Sequence, residues 1–129
     1  MYKRQVLIRI GRIIKSDIRK SDILARFGGE EFVILLPNTD LKKALKISER
    51  LRKKVMEDKE LKKLGVTISA GISHFEPGDT AMSFFEKADH ALLVAKRGGK
   101  NKSVILSEID IPELRKLASA IKLSPKTKD

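Results

Sequence analysis

Apolar positions near the start of the chain recur at helical spacing. Val6, Leu7, Ile10, Ile13, Ile14 and Ile18 share one face, with Arg9, Arg12, Lys15 and Arg19 mostly between them. The pattern predicts an amphipathic helix over 6–18, which Gly11 weakens by up to about 1 kcal/mol relative to Ala. At Ile23 the pattern changes. Ile23 to Phe27 reads as a short strand, Gly28-Gly29 as a turn and Phe32 to Leu36 as a second strand, together a β-hairpin. The second strand is apolar at every position, which predicts burial on both faces.

Beyond Pro37-Asn38, with Thr39 or Asp40 as cap, Leu41, Ala44, Leu45, Ser48, Leu51 and Val55 form one face of a second helix. A strand is expected from Val66 to Ser73 and a turn at Glu76-Pro77-Gly78-Asp79. A helix capped by Asp79 or Thr80 then runs to about Arg97, with Phe84, Phe85, Ala88, Ala91, Leu92 and Ala95 inward and Gly98 as a left-handed C-cap. Ser103 to Leu106 reads as a short strand. Pro112 fits the first turn of a last helix, from Glu113 to about Leu123, with 124–129 frayed. The predicted order is α-β-β-α-β-α-β-α. It describes an α/β sandwich on a mostly antiparallel sheet, with a domain over 1–106 and a helical extension over 107–129.

Composition narrows the chemistry. The chain has 129 residues, enough for one domain with its own core. It has no cysteine, which excludes disulfides, zinc thiolates and thiol nucleophiles. No apolar run is long enough to span a membrane, and a cytoplasmic setting is expected. A net charge of +11 favours anionic partners. With only 5% aromatic residues there is no base-stacking platform, so nucleic acid is not the expected partner. His74 and His90 have no ligand partner at metal-binding spacing.

The candidate chemistry lies in Arg26-Phe27-Gly28-Gly29-Glu30-Glu31-Phe32. Two carboxylates on a rigid turn suit Mg²⁺, and glycines let a phosphate approach the backbone. Spacing alone favours a plain structural turn bearing two solvated glutamates. The whole segment resembles the signature of the GGDEF family, in the variant with Glu at the third position. Pro37-Asn38-Thr39, Val66-Thr67-Ile68-Ser69-Ala70-Gly71-Ile72, Ala88-Asp89, Ala95-Lys96 and Gly99-Lys100-Asn101 resemble further family motifs in the same order.

The resemblance implies a fold like that of nucleotidyl cyclases and polymerase palms. It implies a diguanylate cyclase that joins two GTP into cyclic-di-GMP by metal-assisted nucleotidyl transfer, with Mg²⁺ or Mn²⁺ and two domains facing each other as a homodimer. It assigns metal binding and catalysis to Glu30 and Glu31, contact with GTP to Gly28 and Gly29, and phosphate contacts to Lys96 and Lys100. Arg19-Lys20-Ser21-Asp22 resembles the family's inhibitory R-x-x-D site for cyclic-di-GMP, with Arg50 completing it. A surface ion pair is the plain alternative there.

The family also has a central strand ahead of the first helix, which carries a metal-binding Asp. That strand has no counterpart before residue 6, and Lys3-Arg4 stand where the family has Gly-Asp. The expectation is an impaired cyclase with unpaired strand edges. The competing reading is a receptor module that binds cyclic-di-GMP through Arg19, Asp22 and Arg50.

Overall fold

The computed structural model describes residues 3–105 and 118–126. Its elements are α1 (Lys3–Asp17), β1 (Ile23–Phe27), β2 (Glu31–Pro37), α2 (Leu41–Glu57), α3 (Lys59–Lys63), β3 (Thr67–His74), α4 (Ala81–Arg97), β4 (Ser103–Ile105) and β5 (Ala118–Lys126). They build one five-stranded sheet in the order β1-β2-β5-β3-β4. All neighbours are antiparallel except the parallel pair β3 and β4. The mixed α+β architecture is the one expected.

Helices cover both faces of the sheet. On one face, Val6, Leu7, Ile10 and Ile14 of α1 and Ala44, Leu51 and Val55 of α2 bury against Phe32, Ile34, Leu36, Ile68, Ile72, Ile121 and Leu123. On the other lies α4, which buries Phe84, Ala88, Ala91, Leu92 and Ala95. The caps follow the expected chemistry. Asp40 accepts from the Lys43 N–H at the start of α2, and Thr80 forms a reciprocal capping box with Ser83 at the start of α4.

Several expectations are corrected. β2 is not buried on both faces: Phe32, Ile34 and Leu36 are buried while the residues between them are half-buried. Gly98 has φ −84°, and the left-handed turn after α4 is made instead by Gly99, Lys100 and Asn101 at φ 111°, 66° and 48°. The short helix α3, capped by Asp58, follows α2 directly and was not expected.

The largest correction concerns the C-terminal segment. Residues 118–123 form a strand, not the end of a helix, and 124–126 continue it rather than fray. The part of the expected helix at 113–117, and Leu106 of the expected strand, lie outside the described residues. β5 enters the centre of the sheet, with Ile121 paired to Ile34 on one side and Ile72 on the other. The edges of β2 and β3, expected to be unpaired, are both closed by it. Local propensity at Ala-Ser-Ala-Ile-Lys-Leu favours a helix only weakly, by tenths of a kcal/mol per residue. Two open strand edges offer backbone partners on both sides and a slot that buries both faces, and that decides the outcome.

Candidate functional site

The hairpin turn is closed by the pair Phe27–Glu31. Gly28 takes φ +68°, a left-handed conformation costly for any residue with a Cβ. The Arg26 guanidinium donates to the carbonyl of Gly29 from Nε at 3.2 Å and Nη2 at 2.6 Å, which holds the turn in shape. A Cβ built at Gly28 or Gly29 would meet nothing within 4 Å, so both glycines border open space.

The two carboxylates of the turn diverge. Glu30 is half-buried and pairs with Lys3 at 2.8 Å. Glu31 points to the α4 face, where its Oε2 lies 3.1 Å from Lys96 Nζ and its Oε1 lies 3.1 Å from Lys122 Nζ. Lys96 is thus paired with Glu31, a contact that the expected phosphate role of Lys96 and metal role of Glu31 did not include. Lys100 stands in the left-handed turn beyond α4, and its backbone N–H donates to Ala95 at 3.0 Å.

Lys122 was not singled out in the sequence. On β5 it is the partner of Val33 and Gly71, so its side chain rises on the α4 side of the sheet. Only 3% of it is exposed. Its ammonium donates to Asp89 Oδ1 at 2.5 Å and lies 4.6 Å from the ring centre of Phe85 and 5.0 Å from that of Phe27. Burial by itself would push this ammonium toward its neutral form. The hydrogen bonds to Asp89 and Glu31 outweigh burial and hold its pKa above the ordinary lysine value. The one signal in the sequence is a lone cation inside the run Ala120-Ile121-Lys122-Leu123.

A divalent cation asks for several oxygen donors. Among the described residues no group of three or more His, Cys, Asp or Glu converges to hold one. Glu31 has an ammonium on each oxygen and Glu30 turns to Lys3, so the residues in this arrangement do not fit a divalent ion.

The second cluster lies across the molecule. Arg19, Asp22 and Arg50 line one open cavity of about 360 Å³, together with Asp17, Ile18, Thr39, Lys43, Lys46 and Ile47. Arg19 grips the buried Asp22 through Nε and Nη2 and also donates to Thr39 Oγ1 at 2.7 Å. Arg50 Nε donates to Asp17 Oδ2 at 2.7 Å, and Lys54 Nζ bonds the other oxygen. Burial of Asp17 would raise its pKa, but Lys54 and Arg50 together hold it below the usual carboxylate range.

A sequence model for the diguanylate cyclase GGDEF domain matches residues 4–102. Diguanylate cyclase A of Treponema denticola is 42% identical over 112 residues, covering 84% of this chain and 30% of that protein. Diguanylate cyclase DgcP of Pseudomonas aeruginosa is 41% identical over 101 residues, covering 76% of this chain and 15% of that protein. The chain thus spans less than a third of these relatives. Among solved structures, the active GGEEF domain of a Vibrio cholerae diguanylate cyclase superposes with a TM-score of 0.71 at 29% identity, covering 82% of this chain and 69% of that one. Diguanylate cyclase SiaD of Pseudomonas aeruginosa, solved with its activator SiaC, gives 0.70 at 38% identity, covering 78% of this chain and 40% of the other.

Proposed function

Because the chain belongs to the GGDEF family of diguanylate cyclase domains, we propose that it works in cyclic-di-GMP signalling and holds GTP at the Gly28-Gly29 turn. The observation that carries this is the turn itself: two glycines bordering open space beside a lysine, Lys96, anchored on the signature carboxylate Glu31. An extended phosphate chain laid on this turn finds backbone N–H groups free of Cβ obstruction and Lys96 of α4, with Lys100 in the turn beyond that helix as the second expected cation. A lysine there is a point charge, suited to several phosphate oxygens in turn.

The family reaction joins two GTP with loss of pyrophosphate. Each domain holds one GTP, so synthesis requires two copies facing each other. Diguanylate cyclases generally use a divalent metal, with Mg²⁺ or Mn²⁺ the expected ion. Since the residues around Glu31 do not fit such an ion as they stand, GTP binding is the expected property of this chain and turnover is expected to be weak. Cytoplasmic location follows from GTP as the ligand. Among the described residues no helix is long and apolar enough to cross a membrane.

The Arg19, Asp22 and Arg50 cavity is the place for the product, cyclic-di-GMP. A guanidinium fork suits phosphate or the N7/O6 edge of guanine, and the Asp22 carboxylate suits guanine N–H groups. Arg19 and Arg50 each hold a carboxylate in the free protein, so the product must displace or share those pairs. Calorimetric titration tests both sites. GTP should bind the unaltered chain and lose affinity about tenfold or more in Lys96→Ala, by loss of a charge-assisted contact. Cyclic-di-GMP should bind and be lost in Arg19→Ala. A folded chain that binds neither nucleotide overturns the reading.

A further inference from the structure

Glu31 sits between two ammonium groups, and one of them comes from a strand that the signature region does not include. Lys122 reaches Glu31 because β5 occupies the sheet centre. Its register beside Val33 places it diagonally across from Glu31 on the same face. A lysine exposed to only 3% is tolerated in such a place only with counter-charges. Here Glu31 and Asp89 supply two negative charges, and Lys122 and Lys96 supply two positive ones. The faces of Phe27 and Phe85, themselves in contact at 4.7 Å between ring centres, close the ammonium in.

We propose that Lys122 is a built-in cation of the hairpin site: its ammonium stands in for a metal ion at Glu31 and keeps divalent cations out. A divalent ion approaching Glu31 would meet a positive charge that is almost fully buried and held by Glu31, Asp89 and the two rings, on a strand paired on both sides. Removing the Lys122 charge would free Glu31 Oε1 and Asp89 Oδ1 together as oxygen donors for such an ion, with Lys96 left on Glu31 Oε2. The inference concerns the same hairpin as the proposed GTP site, but its test uses no nucleotide, so a failure of GTP binding leaves it standing.

The experiment is titration of Mn²⁺ alone into the ¹⁵N-labelled full chain, read as paramagnetic broadening of amide signals. In the unaltered chain, millimolar Mn²⁺ should not selectively broaden Gly28 to Phe32. In Lys122→Met, selective broadening there should appear, with affinity gained at least about tenfold from removing one unit charge within a few Å of the ion. Lys122→Arg, which keeps the charge, should show no gain, and Glu31→Gln added to Lys122→Met should abolish it. Selective broadening in the unaltered chain that Glu31→Gln removes would overturn the proposal, as would a folded Lys122→Met without gain. Should Lys122→Met not fold, the unaltered chain and Glu31→Gln decide the matter by the same reading.

Discussion

Gly71 of β3 lies so close to Leu92 of α4 that a Cβ at Gly71 would stand 2.2 Å from the Leu92 backbone nitrogen. The carbonyl oxygen of Ala88 would be at the same 2.2 Å, and both are backbone atoms that no rotamer change can move aside. The approach brings α4 down onto the sheet and sets the height at which Phe85, Asp89 and Lys96 meet Glu31 and Lys122. Gly71→Ala is therefore expected to cost about 3 kcal/mol or more, at the upper end of overpacking. Urea unfolding followed by circular dichroism measures this, and a loss under about 1 kcal/mol would show that α4 can lift freely.

The strand assignment of 118–126 makes a separate prediction. Ile121 is fully buried between Ile34 and Ile72. Ile121→Ala should cost about 2–5 kcal/mol. Amide exchange should protect Ile121 and Leu123 as strongly as Ile34. Fast exchange at 120–123 in a folded protein would contradict a central strand.

Acid should unfold the protein through a small set of carboxylates. Asp58 is held below its ordinary pKa chiefly by the Arg9 guanidinium, against the opposing effect of burial. For Asp79 burial would raise the pKa, but Lys87, the Glu76 N–H and Ser83 outweigh it, and Asp17 behaves similarly with Lys54 and Arg50. Each of these groups takes up a proton less readily folded than unfolded. Their stabilisation is present above the unfolded carboxylate pKa of about 4 and is lost as pH falls through the lower folded values. Asp58→Ala also removes the cap of α3, where Asp58 accepts from Leu61. It should cost about 1 kcal/mol or more near neutral pH. The difference from the unaltered chain should shrink as the pH is lowered, which urea titrations at several pH values would reveal.

A hydrogen-bond chain, buried at Ser119 and part-buried at Arg19, ties β5 to the arginine cavity. Ser119 Oγ donates to the Thr39 carbonyl at 2.8 Å, and Thr39 Oγ1 accepts from Arg19 at 2.7 Å. With its one proton spent on Thr39, Ser119 accepts from His74 Nδ1–H at 3.1 Å. Ser119→Ala should cost about 1–3 kcal/mol, because a buried acceptor and a buried donor each lose a partner. The Thr39 amide region and the Arg19 side-chain signals should shift together in NMR spectra. A shift confined to residue 119 would argue against the chain.

The sequence by itself determined what is local. The Gly-Gly turn between two apolar runs gave the hairpin, because a left-handed Gly28 and the paired strands are set by neighbours in the chain. The faces of α2 and α4 were legible for the same reason, and their caps were narrowed to two adjacent residues each, of which the structure uses Asp40 and Thr80, since helical spacing and capping act within a few residues. The family resemblance implies a metal role for Glu31 and a phosphate role for Lys96, and the fold pairs the two side chains at 3.1 Å. Only the tertiary structure decided the fate of 118–126. A strand in the centre of a sheet owes its conformation to edges supplied by residues far away in sequence, Thr67–His74 and Glu31–Pro37, and those edges override a weak local preference for helix. Lys122 follows from that placement. Its register, not its neighbours in the chain, puts an ammonium on Glu31 where the signature alone suggests a metal ion.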